Sequence, residues 1–424
     1  MQKVVLAYSG GLDTSVAIKW IKEKYDMEVV TLTVDVGAND RDLESIRKRA
    51  LEIGAVNALV RDVKEEFVKY FIWPALQAGA LYEGEYPLAT ALARPLIAWN
   101  LVQVAREEGA TAVAHGCTGK GNDQVRFDIS VNVLAPDLKI IAPVREWRMT
   151  RDEEIEYAAQ NNIPLLSVSQ KRYSVDQNLW GRSVEAGPLE DPRNEPLEEV
   201  YEWTASPDKQ PDIAEYVEIQ FERGIPIALN GERMDGVTLI TKLHEIAGRH
   251  GIGRIDHIEN RLVGIKSREI YEAPAAIVLH RAHRWLEDLT LTKDSARFKT
   301  RVAAEYGDLV YNGLWFSPLH QDLAAYVASS QRYVSGTVTV KLFKGNVIKA
   351  SCDSPKSLYN FALATYDKGD QFKHEASVGF INIFGLSLRN QSQIQLAGRT
   401  QGEMLSLASP DAVSPDTHSE EEKK

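Results

Sequence analysis

Over its first 165 residues the chain alternates short apolar runs with stretches of helical period, and this alternation limits the fold more than any other feature of the sequence. Residues 3–8 (KVVLAY), 28–34 (EVVTLTV), 111–115 (TAVAH) and 139–144 (KIIAPV) read as strands, with a shorter one expected at 58–60. Between them, residues 14–24, 41–53 and 90–108 carry helical spacing, and Thr150 with Glu153 forms a capping box that opens a further helix. Pro95 falls inside the third helical stretch, where it should kink the helix or mark its true first turn. Apolar strands alternating with helices belong to a parallel sheet covered on both faces. The expected fold class is therefore α/β, with an N-terminal doubly wound parallel sheet that binds a nucleotide. Such sheets bind ligands in the crevice at the carboxyl ends of their strands.

The loop leaving the first strand is Ser9-Gly10-Gly11-Leu12-Asp13-Thr14-Ser15. Two glycines let the backbone turn tightly and approach phosphate oxygens. The helix that follows aims unpaired backbone N–H groups and a positive dipole end at an anion. Ser9, Thr14 and Ser15 add hydroxyl donors, and the Asp13 carboxylate suits a metal ion or a substrate donor. The plainer alternative is a glycine turn in which Asp13, Thr14 or Ser15 caps the helix. After an N-terminal strand in an alternating domain, the heptapeptide is read as a phosphate cradle. It lacks the Gly-Lys-Ser/Thr of a Walker loop, so the chemistry need not be γ-phosphate cleavage.

A second glycine-rich loop, residues 114–127 (AHGCTGKGNDQVRF), leaves the strand at 111–115. Gly116, Gly119 and Gly121 permit close backbone approach; Thr118, Asn122, Asp123 and Arg126 offer both acceptors and donors. A zwitterionic amino acid needs that mixture. A solvated turn with Arg126 in a surface ion pair explains the same residues equally well. Cys117 lacks an identifiable base or resolving thiol and is read as a small filler. His280 and His283 stand one helical turn apart without a third ligand, and are expected on a helix surface rather than in a metal site.

Composition shifts after residue 167, where Pro188, Pro192, Pro196, Pro207 and Pro211 exclude a long helix or a central strand. Strands are expected at 216–221, 335–343 and 346–351, a hairpin-type turn at Asn230-Gly231, and helices at 236–250, 274–289, 292–305 and 358–365. An apolar patch at 378–386 reads either as an arm packed on another subunit or as a segment docked on its own domain. The expected domains are 1–167 for the nucleotide, 168–355 as an α+β substrate domain, 356–398 as an oligomerisation arm, and 399–424 as a disordered tail ending SEEEKK. Only two cysteines occur, Cys117 and Cys352, too few for a disulfide framework and consistent with a reducing compartment. A net charge of −11 argues against a dedicated nucleic-acid binder. Residues 1–8 do not read as a signal peptide, and no run approaches the ~20 apolar residues of a membrane span. A soluble cytoplasmic protein is expected, without nucleic-acid or membrane partners.

The heptapeptide resembles the SGGxDS-type loop of the ATP-pyrophosphatase superfamily, whose members hold pyrophosphate while AMP is transferred to an acceptor. Together with residues 82–95 (YEGEYPLATALARP), 114–127, 174–185 (SVDQNLWGRSVE) and 256–272 (DHIENRLVGIKSREIYE), it is similar to the argininosuccinate synthase family from about residue 1 to 395. That resemblance implies a homotetrameric, AMP-forming carbon–nitrogen ligase of arginine biosynthesis. Such an enzyme condenses citrulline with aspartate through a citrullyl-adenylate, using ATP as substrate and Mg²⁺. It implies ATP contacts at Ala7, Tyr8, Ser9, Gly10, Gly11, Leu12, Asp13, Thr14, Ser15, Val34 and Gly116. Citrulline contacts are implied at Tyr86, Thr90, Asn122, Arg126, Ser174, Ser183, Glu259 and Tyr271, and aspartate contacts at Thr118, Asn122 and Asp123. Ala91 stands where some members carry serine, and Arg94 is a further candidate for a carboxylate contact. Asp13 and Asp123 are the catalytic candidates; no general base is identified. Taken alone, Tyr86 and Tyr271 would be packing tyrosines with wet hydroxyls, and Glu259 a solvated charge. A tRNA thiolase would need a reactive cysteine pair and a basic face, and a regulatory nucleotide module would bind ATP without releasing pyrophosphate.

Overall fold

The computed structural model describes residues 1–38, 42–164 and 172–399. The expected domain boundary at 167/168 and the expected tail from residue 400 lie outside them, as does Arg41. Two compact units divide the chain, Met1–Leu358 and the residues from Tyr359 onward.

The first part of the larger unit runs β1 (Lys3–Ala7), α1 (Leu12–Tyr25), β2 (Glu28–Asp35), α2 (Leu43–Ile53), β3 (Asn57–Asp62), α3 (Lys64–Phe67), α4 (Trp73–Ala78), α5 (Ala89–Glu107), β4 (Ala112–Ala114), α6 (Asp123–Leu134), β5 (Lys139–Ile141), α7 (Pro143–Trp147) and α8 (Arg151–Gln160). A π-helical stretch, Val68–Ile72, joins α3 to α4. The five strands are all parallel, in the order β3-β2-β1-β4-β5. β2 is buried along its whole interior, as a strand covered on both faces must be. The order reverses between β1 and β4, so the crevice of the sheet opens where the two glycine-rich loops leave these strands.

From residue 172 onward the elements of this unit are β6 (Ser174–Asn178), β7 (Gly181–Glu185), β8 (Glu215–Glu222), β9 (Ile225–Leu229), β10 (Glu232–Arg233), α9 (Gly236–Arg249), β11 (Arg254–Asn260), β12 (Lys266–Glu272), α10 (Pro274–Thr290), α11 (Lys293–Tyr311), α12 (Pro318–Ser330), β13 (Gly336–Phe343) and β14 (Asn346–Asp353), with the proline-rich segment between β7 and β8. They form two antiparallel sheets, β10-β9-β8-β13-β14 and β11-β12-β7-β6. Burial alternates along β8, the mark of a strand with one face on the core. The proline-rich stretch is pinned to β12 by Glu272, a fully buried carboxylate that accepts from the backbone N–H groups of Glu202, Trp203 and Thr204, the Thr204 hydroxyl and Arg182.

Several elements depart from the sequence reading. Of the two expectations for Pro95, the first-turn one fails: α5 begins at Ala89 and runs through it, at the cost of the hydrogen bond its missing N–H would give. α11 continues six residues past 305, through Gly307, a glycine required because a Cβ there would lie 2.6 Å from the Leu81 carbonyl oxygen. Residues 123–127 are the first turns of α6 rather than loop, and α12 had no expectation at all. The two histidines are not on a helix surface: His283 is buried and bonds Gln331 through Nε2 at 2.8 Å, and His280 packs on Trp180. Burial lowers both below the usual imidazole range, His280 to about 3.

In the second unit, α13 (Phe361–Ala364), α14 (Ala376–Phe384) and α15 (Leu386–Gln395) contain no buried residue. Only four residues of the expected 358–365 helix are helical.

Candidate active site

β1 delivers the first glycine loop to the crevice. Gly10 turns the chain at φ +78°, where a Cβ would lie 3.0 Å from Ile46 Cγ1, and its carbonyl accepts from the buried Arg49 at 3.0 Å. Gly11 is the N-cap of α1, and no side chain caps that helix. The expected alternative, a helix capped by Asp13, Thr14 or Ser15, is therefore not what forms, and the first-turn N–H groups are left without a side-chain acceptor. Ser9 Oγ lies 3.1 Å from Thr14 Oγ1 and accepts from Gly11 N–H at 3.3 Å. The Ser15 hydroxyl instead meets the buried Tyr8 hydroxyl at 3.1 Å, facing the core. Asp13 reaches the cleft while bonding the buried Glu154 carboxyl of α8. Burial, and then the neighbouring Asp13, push Glu154 up to about 8.

Two adjoining clefts open here. The smaller, about 190 Å³, is bounded by Ala7, Tyr8, Ser9, Thr14, Val34 and Gly116, with Leu32, Val36, Ile97 and Phe127 giving it an apolar wall. The larger, about 390 Å³, collects Ser9, Asp13, Tyr86, Thr90, Gly116 and Thr118 with Asn122, Asp123, Arg126, Ser174, Ser183, Glu259 and Tyr271. These thirteen residues, all singled out in the sequence, thus meet in one cavity with Arg94, Cys117 and Gly121, from segments up to 262 residues apart. Gly10, Gly11, Leu12 and Ser15, also expected to contact ATP, line neither cleft. Gly116 separates the two loops: a Cβ there would sit 2.8 Å from Thr14 Cγ2.

Charge in the larger cleft is unevenly spread, with six carboxyl groups against three guanidiniums. Arg94 forms part of the wall of both clefts, bonding Asp123 at 2.8 Å through Nε and pairing with Asp176. Arg126 holds the other Asp123 oxygen at 2.9 Å. Burial alone would raise Asp123, but the two guanidiniums hold it below the usual carboxylate range. Arg261 pairs with Glu185 and Glu269. Burial and the nearby Glu185 and Glu259 carboxylates drive Glu269 well upward.

Glu259 is different. It is 3% exposed and accepts from the Tyr271 hydroxyl at 2.5 Å and the Tyr311 hydroxyl at 2.6 Å, yet among the described residues no cationic group lies within salt-bridge distance. Arg126, also 3% exposed, has an Nη2 with no hydrogen-bond partner. One buried anion without a cation and one buried donor without an acceptor thus face the same cavity, the pairing a zwitterion would complete. Tyr86 stacks on Tyr271 with centroids 3.9 Å apart, and its hydroxyl accepts the Thr90 N–H at 2.8 Å at the start of α5.

Some lining residues escaped the sequence reading. Asp176, Glu185, Arg261 and Glu269 lie inside the quoted segments, where nothing marked them apart from their neighbours. Tyr311 lies outside all of them. His115 lines the smaller cleft; its Nδ1 accepts the Cys117 N–H and its Nε2 meets Asp128 at 2.7 Å. Cys117 touches both clefts, with burial raising its thiol far above the ordinary range, so it stays protonated. Among the described residues no cluster of three or more metal-ligating side chains exists, and no helix is long and apolar enough to cross a membrane.

Comparison with known proteins is decisive. The family model described as Arginosuccinate synthase N-terminal HUP domain matches residues 3–164, and that described as Arginosuccinate synthase C-terminal domain matches residues 173–391. The chain is 59% identical over 394 residues to argininosuccinate synthase of Dehalococcoides mccartyi strain 195, covering 93% of this chain and 97% of that one. It is 59% identical over 394 residues to that of Symbiobacterium thermophilum, covering 93% and 98%. To the Listeria welshimeri protein of the same name it is 54% identical over 393 residues, covering 93% and 97%. The chain belongs to the argininosuccinate synthase family.

Proposed function

We propose that this protein condenses citrulline with aspartate at the expense of ATP, releasing AMP and pyrophosphate and yielding argininosuccinate for arginine biosynthesis. The observation that carries the reading is the cavity beside the open N-terminus of α1, which holds both the cation-free Glu259 and the acceptor-free Arg126 Nη2. The base and ribose of ATP occupy the smaller cleft against Val34, with the phosphates over Ser9–Ser15. Citrulline lies in the larger cleft with its α-ammonium at Glu259, its carboxylate toward Arg126, and Tyr86, Thr90, Ser174, Ser183 and Tyr271 around it. Aspartate sits at Thr118, Asn122 and Asp123.

The ureido oxygen of citrulline attacks the α-phosphorus, expelling pyrophosphate into the α1 cradle. The aspartate amine then attacks the activated carbon and AMP departs. Most of the chain's contribution is alignment and charge stabilisation rather than covalent chemistry. Asp123 binds the aspartate ammonium through an oxygen now taken by Arg94 or Arg126, so the incoming carboxylates replace the guanidiniums' internal partner. The Asp13 carboxylate, which has no basic partner among the described residues, fits Mg²⁺, which would neutralise phosphate charge there.

The test is pyrophosphate and AMP formation that requires citrulline and aspartate together; release with either one alone would refute the reading. The homotetramer is supported by α14, where Val378, Phe380, Ile381, Ile383 and Phe384 are all exposed, as an arm awaiting another copy would be. We take residues 356–398 as that arm, residues 1–167 as the ATP domain, 168–355 as the substrate domain, and the cytoplasm as the site of action. Truncation before Val378 should lower the mass seen by light scattering, and an unchanged oligomer would exclude the arm.

A further inference from the structure

Tyr311, the last residue of α11, is 1% exposed, and its hydroxyl both donates and accepts within the site. It donates to Glu259 Oε1 at 2.6 Å and accepts from Asn122 Nδ2 at 2.8 Å. The direction of both bonds is forced. Asn122 Oδ1 already accepts the Leu262 N–H at 2.9 Å, so its Nδ2 must face the phenol, and the phenol's own proton is left for the carboxylate. The ring is fixed as well: it stacks on Tyr82 with centroids 3.4 Å apart and planes 3° from parallel, and the Arg126 guanidinium lies 4.8 Å from its centroid. Its backbone carbonyl accepts Arg126 Nε at 2.9 Å. Two residues on, Gly313 at φ +75° admits this approach, since a Cβ there would lie 2.8 Å from Arg126 Cα.

One side chain therefore joins Asn122, Arg126 and Glu259, which arrive from α6 and its preceding loop and from β11. Two neutral hydroxyls, those of Tyr271 and Tyr311, donate to the buried Glu259 carboxyl without the opposing charge that a lysine or arginine in their place would bring. We propose that Tyr311 is a positioning residue of the amino-acid site, setting Glu259 and Asn122 in the one relative geometry that receives the citrulline head group. The proposal rests on the functional reading above and assigns Tyr311 no contact with the reacting atoms.

The experiment is Tyr311→Phe in the full chain, alone and combined with Glu259→Gln, with pyrophosphate release followed against citrulline and against ATP. The substitution keeps the ring stack and the backbone bond and removes only the hydroxyl. Losing one hydrogen bond to a charged group should raise the citrulline KM about tenfold, with kcat and the ATP KM within about threefold of wild type. Because Tyr311 acts through Glu259, the double variant should lie within about threefold of Glu259→Gln alone. A citrulline KM unchanged in Tyr311→Phe, effects that multiply in the double variant, or equal rises for ATP and citrulline would overturn the proposal. So would loss of cooperative melting in Tyr311→Phe, which would assign the hydroxyl to the fold. The wild-type chain keeps the two ideas apart: dependence of its pyrophosphate release on both amino acids tests the reaction, and the variant ratios test the coupling.

Discussion

Glu259→Gln separates a binding carboxylate from a structural one, because the structure gives its two effects opposite signs. Glutamine matches the shape of glutamate but replaces one acceptor oxygen by an amide donor. The Tyr311 bond is kept when the amide oxygen faces Tyr311 and the amide nitrogen faces Tyr271, whose hydroxyl then turns from donor to acceptor. The bound citrulline ammonium would then lose its anionic partner in a site that is 3% exposed. A hydrogen bond to a charged group is worth roughly 1.5–3 kcal/mol, and a buried pair broken from one side costs about 3 kcal/mol or more. At about 1.4 kcal/mol per factor of ten, the citrulline KM should rise about 100-fold, with kcat much less affected because the head group is remote from the reacting carbon. The empty protein, in contrast, is relieved of a buried charge without a cation, so its melting temperature should hold or increase. The assays are pyrophosphate release against citrulline at saturating ATP and aspartate, and thermal melting of the ligand-free chain. A citrulline KM within threefold of wild type, or a KM increase accompanied by a lower melting temperature, would refute the assignment.

Asp123→Asn should raise the aspartate KM about tenfold while the ATP KM holds, and an unchanged aspartate KM would remove Asp123 from that role. Gly116→Ala places a methyl group 2.8 Å from Thr14 Cγ2, so the ATP KM should rise roughly tenfold with smaller effects for both amino acids; equal effects on all three substrates would point to general disruption. Glu154 gives a pH dependence with a defined sign. Its folded pKa of about 8 lies above the ordinary 4.5, so between these values the unfolded chain ionises and the folded one does not. Its contribution to stability is therefore present in full below pH 4.5 and is lost as pH rises toward 8. Ligand-free Glu154→Gln should gain on wild type in urea midpoint between pH 5 and pH 8, and a constant difference across that window would sink the argument.

The strands of residues 1–164 and four of their helices were legible because burial on both faces of a parallel sheet requires continuous apolar runs, and 3–8 and 28–34 supply them; the helices between Lys64 and Ala78 and those at 123–134 and 143–147 were not read. The capping box at Thr150 and Glu153 was readable for a local reason, as both bonds lie within one helical turn. The heptapeptide at β1 likewise specified a tight glycine turn into a helix with no side-chain cap, through local backbone geometry. Other elements turn on contacts between segments distant in the sequence. Nothing local extends α11 through Gly307 to Tyr311; that glycine serves the close approach of Leu81, not the end of a helix. His280 and His283 show the same limit, since their spacing was plain but their surroundings depended on Trp180, Gln331 and the Gly224 turn.

The same division runs through the site. Sequence by itself determined which residue types were available: a loop that can hold phosphates, another with donors and acceptors for a zwitterion, and segments whose family resemblance brought Tyr86, Ser174, Ser183, Glu259 and Tyr271 into consideration. Tertiary structure alone decided how these groups are paired, because electrostatics depend on distances across the fold rather than on positions along the chain. Folding gave Asp123 two guanidiniums and Glu259 none, and left Arg126 with an unused donor. It also placed Tyr311, which no motif contains, at the junction of the residues that the motifs do name.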